Sequence, residues 1–85
     1  MSYAVFLSGR ARSELKALHS EIVKRLDQHI ACLSGNPRPP GCKKLRSKTP
    51  DGWRIRVGDY RIVFDVREST IVVMAVGHRR DVYKG

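Results

Sequence analysis

Gly52 to Val66 reads GWRIRVGDYRIVFDV, and its pattern decides the fold. Trp53, Ile55 and Val57 alternate with other residues on the way in, and Tyr60, Ile62, Phe64 and Val66 do so on the way out. Period-two alternation on both sides of Gly58-Asp59 predicts two strands and a tight turn, because glycine reaches the positive φ such turns require. That loop sets a register in which Val57 faces Tyr60, Arg56 faces Arg61, Ile55 faces Ile62 and Arg54 faces Val63. The apolar side chains then share one face, and Arg54, Arg56 and Arg61 gather on the other. Like charges placed directly opposite destabilise a ladder by roughly some tenths of a kcal/mol. An anion bound among these arginines explains their placement better than three solvated strand residues do.

The flanking segments supply the rest of the architecture. Ser2 to Leu7 alternates weakly and reads as a first strand. Ser8 then suits an N-cap, its hydroxyl accepting from an orphan backbone N–H of the next turn. Ala11, Leu15 and Leu18 recur at helical spacing. His19-Ser20 reads as a break, with Ser20 capping a second helix whose stripe is Ile22, Leu26, Ile30 and Leu33. Gly35 and Pro37 stop that helix. Asn36 to Gly41 (NPRPPG) is a proline-stiffened loop, and Cys42 to Pro50 is expected to be basic and irregular. Arg67 to Ser69 makes a polar turn into a β-branched strand, Thr70 to Val76. Pairing Val66 with Ile71 places Val76 beside Arg61 and Met74 beside Val63, and parity puts His78 on the arginine face.

This order predicts an α+β fold: an N-terminal strand, a helical hairpin, then a three-stranded antiparallel meander, with the helices on one face of a mainly antiparallel sheet. The 85 residues are expected to form one domain, 1–85. The longest apolar run, Ile71 to Val76, is far too short to span a bilayer. The N-terminus lacks the charged region that opens a signal peptide. Cys32 and Cys42 match neither a zinc spacing nor a disulfide framework, so free thiols in a reducing cytoplasm are expected. His19, His29 and His78 are scattered, which predicts no metal site, and His19 and His29 read as helix-surface residues.

The net charge of +9 implies an electrostatic partner, with nucleic acid leading. Eight basic residues, Arg38, Lys43, Lys44, Arg46, Lys48, Arg54, Arg56 and Arg61, fall between positions 38 and 61. Lys43, Lys44, Arg46 and Lys48 precede the arginine face and are candidates for phosphate contact. Arg56, Arg61 and His78 are expected at one end of that face, with Arg79 and Tyr83 near by. Guanidinium forks bind phosphate bidentately, tyrosine stacks on bases, and histidine can move a proton near neutrality. That set suffices for metal-free RNA cleavage by a ribose 2′-OH. Asp51, Asp59, Asp65, Glu68 and Asp81 do not cluster as a metal-dependent nuclease would require.

Three stretches carry a family resemblance: Lys44-Leu45-Arg46, Gly52 to Phe64, and Val76-Gly77-His78-Arg79-Arg80-Asp81-Val82-Tyr83. Together with the helical hairpin they resemble the RelE toxins of the RelE/ParE superfamily. The resemblance implies a ribosome-dependent endoribonuclease that cuts mRNA in the ribosomal A site and is held inactive by a RelB-like antitoxin. It implies no small-molecule cofactor and no membrane. Arg54 and Arg56 match two positions that RelE fills with lysines, assigned to activating the 2′-OH and balancing transition-state charge. Arg61 matches the phosphate-holding arginine, Arg79 the one near the leaving 5′-oxygen, and Tyr83 the stacking tyrosine. His78 stands where RelE has another lysine. Arginine scarcely deprotonates, so the general base is either His78 or dispensed with. Two other readings stay open: a ParE-like gyrase inhibitor without nuclease chemistry, and a basic RNA- or ribosome-binding module.

Overall fold

A computed structural model of the chain describes residues 2–44 and 52–78. In chain order these form β1 (Ala4–Leu7), α1 (Gly9–Lys16), α2 (Ser20–Leu33), β2 (Lys43–Lys44), β3 (Gly52–Val57), β4 (Tyr60–Arg67) and β5 (Thr70–His78). The strands build one sheet in the order β1-β5-β4-β3-β2. β1 runs parallel to β5, and the other pairs are antiparallel. The expected α+β fold is present, enlarged by an edge strand, β2, within the stretch read as irregular. No helix among the described residues is long and apolar enough to cross a membrane.

The β3–β4 hairpin has the register its sequence dictates, Val57 opposite Tyr60, Arg56 opposite Arg61, Ile55 opposite Ile62 and Arg54 opposite Val63. Gly58 carries the turn at φ 63°; glycine at the first loop position with positive φ is the type II′ pattern. One face of the sheet is dry. Ile55, Val57, Ile62, Phe64, Val66, Ile71, Val73 and Val76 pack there against Ala11 and Leu15 of α1 and Leu26, Ile30 and Leu33 of α2. Phe64 is fully buried at its centre.

β4 and β5 depart from the simple register. Val66 does pair with Ile71, but between Phe64–Val73 and Val63–Ala75 the ladder skips Met74, a β-bulge. An extra residue on one strand slips every later pair by one position. Arg61 therefore lies beside Gly77 instead of Val76, and Val63 beside Ala75 instead of Met74. The other edge of β5 loses its strand neighbour at the same point, since the β1 ladder ends at Leu7–Val73. Helix α1 takes over: the Val76 N–H donates to Glu14 Oε1 at 3.0 Å and Ser8 Oγ donates to the Met74 carbonyl at 3.0 Å. Ser8 Oγ also accepts from the Ala11 N–H, so one hydroxyl caps α1 and ties it to the bulge.

The second helix begins one residue earlier than its sequence suggests. His19, not Ser20, is the N-cap, its Nδ1 accepting from the Glu21 N–H at 3.3 Å. A neutral imidazole nitrogen accepts as a hydroxyl does, and Ser20 becomes the first helical residue. At the far end Ser34 and Tyr3 exchange bonds: the Tyr3 N–H donates to the Ser34 carbonyl, and Ser34 Oγ donates to the Tyr3 carbonyl. These bonds seat the start of β1 against the end of α2 and satisfy a carbonyl that a helix terminus would otherwise leave exposed.

Candidate functional site

The face of the sheet away from the helices carries the charge. Strand parity sends Arg54 and Arg56 of β3 and Arg61 of β4 to that side, and Lys43 of β2 joins them because it pairs with Arg54. Lys43, Arg54, Arg56 and Arg61, with Gly41 of the preceding loop, line a pocket of about 220 Å³. Gly41 sits at φ 89°, a conformation that side-chain-bearing residues rarely adopt. The Nε atoms of Arg54 and Arg61 are buried from solvent. Arg56 is exposed, and its Nε donates to the Gly58 carbonyl at 2.8 Å. That bond anchors the fork beside the turn while its terminal nitrogens keep their donors for a bound acceptor. Four cationic side chains around one small concavity make a receptor for an anion with several oxygens, and phosphate fits the fork geometry.

His78 is not among them. The bulge at Met74 changes the parity of β5, so His78 pairs with Tyr60 instead of sharing the arginine face. The two rings meet edge to face, centroids 5.9 Å apart at 78°, on the side of the sheet that packs against the helices. The expectation that grouped His78 with the arginines is therefore corrected. Lys44 also faces the helix side, opposite Trp53. Arg46, Lys48, Arg79 and Tyr83 lie outside the described residues. Sequence reasoning missed the pairing that brings Lys43 into the pocket, because two lysines after a proline loop carry no alternation from which to read a strand.

The sequence matches, over residues 5–83, the family model described as ParE toxin of type II toxin–antitoxin system, parDE. The chain belongs to the RelE/ParE family of type II toxins. Toxin RelG of Mycobacterium tuberculosis is 31% identical over 87 residues, covering 99% of each chain. Among solved structures, this toxin chain is similar to the toxin–antitoxin complex RelBE2 of Mycobacterium tuberculosis. The TM-score is 0.81 at 27% identity, over 93% of this chain and 100% of that one. The archaeal RelE–RelB complex of Pyrococcus horikoshii gives a TM-score of 0.80 at 25% identity, covering 95% and 99%. The intact E. coli RelBE complex gives 0.78 at 27% identity, covering 91% and 96%. The family description thus names ParE, while these relatives and solved structures are RelE toxins or Toxin RelG.

Proposed function

We propose that this toxin is a ribosome-dependent mRNA endoribonuclease that cuts the codon in the ribosomal A site and so inhibits translation. The observation that carries the proposal is the pocket of Lys43, Arg54, Arg56 and Arg61 on the helix-free face. In the proposed reaction the ribose 2′-oxygen attacks the adjacent phosphorus and the bond from phosphorus to the 5′-oxygen breaks. The products are a 2′,3′-cyclic phosphate and a 5′-hydroxyl. Negative charge grows on the non-bridging oxygens, where Arg61 holds the phosphate and Arg54 and Arg56 balance the charge, fixed donors being worth most in such a sheltered site. Arg79 is assigned to the leaving 5′-oxygen and Tyr83 to stacking on the substrate. His78, turned toward Tyr60, is not carried forward as general base. The 2′-OH proton then leaves to water or to an oxygen of the RNA, the leaving 5′-oxygen takes up a proton from water, and no metal or cofactor enters the scheme.

Lys43, Lys44, Arg46 and Lys48 are assigned to RNA and ribosome contact, with residues 1–85 acting as one toxin domain in the cytoplasm. The proposed protein partner is a cognate RelB-like antitoxin, as RelB accompanies RelE in the similar complexes. An amphipathic acidic segment of that partner would neutralise the pocket. A gyrase-inhibitor function is the second reading, favoured by the ParE description of the matching family. Cleavage mapping on programmed ribosomes, set beside a supercoiling assay, separates the two.

A further inference from the structure

The two-residue strand β2 delivers one lysine to each face of the sheet. Lys43 pairs with Arg54 on the pocket side, and Lys44 pairs with Trp53 on the helix side. Among the described residues no strand lies beyond β2 in the sheet order, so this edge lies between two basic surfaces. On the helix side Trp53 is half-buried against the core, and Arg38 holds its guanidinium carbon 5.3 Å from the ring centroid. The Arg38 backbone is fixed as well. Its N–H donates to Asn36 Oδ1 at 3.2 Å, Pro37 and Pro39 flank it, and the Cys42 N–H donates to the Pro39 carbonyl at 3.1 Å. Arg38 and Lys44 are exposed, and among the described residues neither forms an ion pair.

An arginine held over an aromatic ring still presents N–H donors to a ligand. Because its backbone and its stacking surface are both preset, less freedom is lost when a ligand binds. The ligand must be anionic and must follow the basic surface around the β2 edge, from Lys43 to Lys44, to use both faces. We infer that Arg38, Trp53 and Lys44 form a second RNA-backbone contact, which takes the phosphodiester chain of folded ribosomal RNA while the pocket on the other face takes the message. This inference rests on the ribosome-dependent reading of the pocket. An acidic protein partner is the competing occupant, since a carboxylate fits the same guanidinium fork; a phosphodiester chain, charged at every unit, better supplies the unbroken run of acceptors that both faces of this edge require.

Trp53 is the one tryptophan of the chain, so all tryptophan emission originates at this patch. The test titrates the full-length protein with protein-free small-subunit ribosomal RNA at several salt concentrations. The expected result is a change in Trp53 emission whose midpoint weakens steeply with salt. Arg38→Gln and Lys44→Gln should each weaken binding by about an order of magnitude at ~0.1 M salt and lower the salt slope by about 1. Arg25→Gln, on the exposed side of α2, removes the same charge elsewhere and should change neither quantity. Emission that RNA does not move, or an Arg25→Gln variant that behaves like Arg38→Gln, overturns the inference. So does emission that responds to an acidic antitoxin but not to RNA. The nuclease reading fails separately, on an absence of A-site cuts with the Trp53 response intact.

Discussion

Arg56 and Arg61 stand directly opposite one another across the β3–β4 hairpin, with Arg56 Nε held by the Gly58 carbonyl. Placing like charges on one rung is a standing cost of some tenths of a kcal/mol or more, which a bound anion offsets. Sulfate or phosphate should therefore raise the melting temperature of the wild-type protein above that in chloride of equal ionic strength. Ligand at about 100 times its Kd stabilises by roughly 2.7 kcal/mol. Arg56→Gln and Arg61→Gln should each lose most of that anion-specific gain. An equal response in all three proteins would remove the anion from the account.

The position of His78 leads to a prediction that runs against its residue type. Its ring meets Tyr60 on the helix side of the sheet, so it does not reach the phosphate pocket. In single-turnover cleavage on programmed ribosomes, His78→Gln should slow the reaction by less than about tenfold. Removing a true general acid or base typically costs about 10²–10⁴-fold. A loss in that range, accompanied by disappearance of a pH-dependent limb near neutrality, would return the base role to His78.

Glu14 can be separated into its charge and its acceptor. Oε1 accepts the Val76 N–H at a point where, among the described residues, β5 has no strand neighbour on that side, and Val76 is 1% exposed. Glu14→Ala should cost about 1–3 kcal/mol, the usual penalty for an unsatisfied buried donor. Glu14→Gln keeps a carbonyl oxygen at the site and should cost much less. Urea unfolding midpoints of the two variants compare the two costs directly.

How far the chain could be read depended on whether a pattern constrained it. The hairpin register follows from strict alternation around Gly58, since a slip by one would move Ile55, Ile62 and Phe64 out of the core. The bulge at Met74 left no such mark. Val72, Val73, Ala75 and Val76 are all apolar, so both parities of β5 looked equally suited to burial and the change of parity passed unseen. His78 was misplaced for that reason alone. The arginine pocket survived because Arg54, Arg56 and Arg61 lie on the hairpin, upstream of the bulge's effect. Ser20 looked the better cap by residue type, whereas the structure uses the imidazole of His19.

The turn between β4 and β5 offers a gain in stability. Glu68 adopts φ 43°, the one positive φ among the described non-glycine residues. A side chain at such an angle costs roughly 1–2 kcal/mol, while glycine there adds some unfolded-state entropy. Glu68→Gly should therefore raise stability by about 0.5–1 kcal/mol in chemical denaturation, with cleavage unchanged.

The most direct test of the central claim is a map of mRNA cuts on ribosomes programmed with a defined message, with free RNA and Arg61→Ala as matched controls. The expected result is cuts within the A-site codon, none on free RNA, and collapse of cutting in the variant. Full cutting by Arg61→Ala, or no cutting by the wild type alongside inhibition of DNA supercoiling, would contradict it.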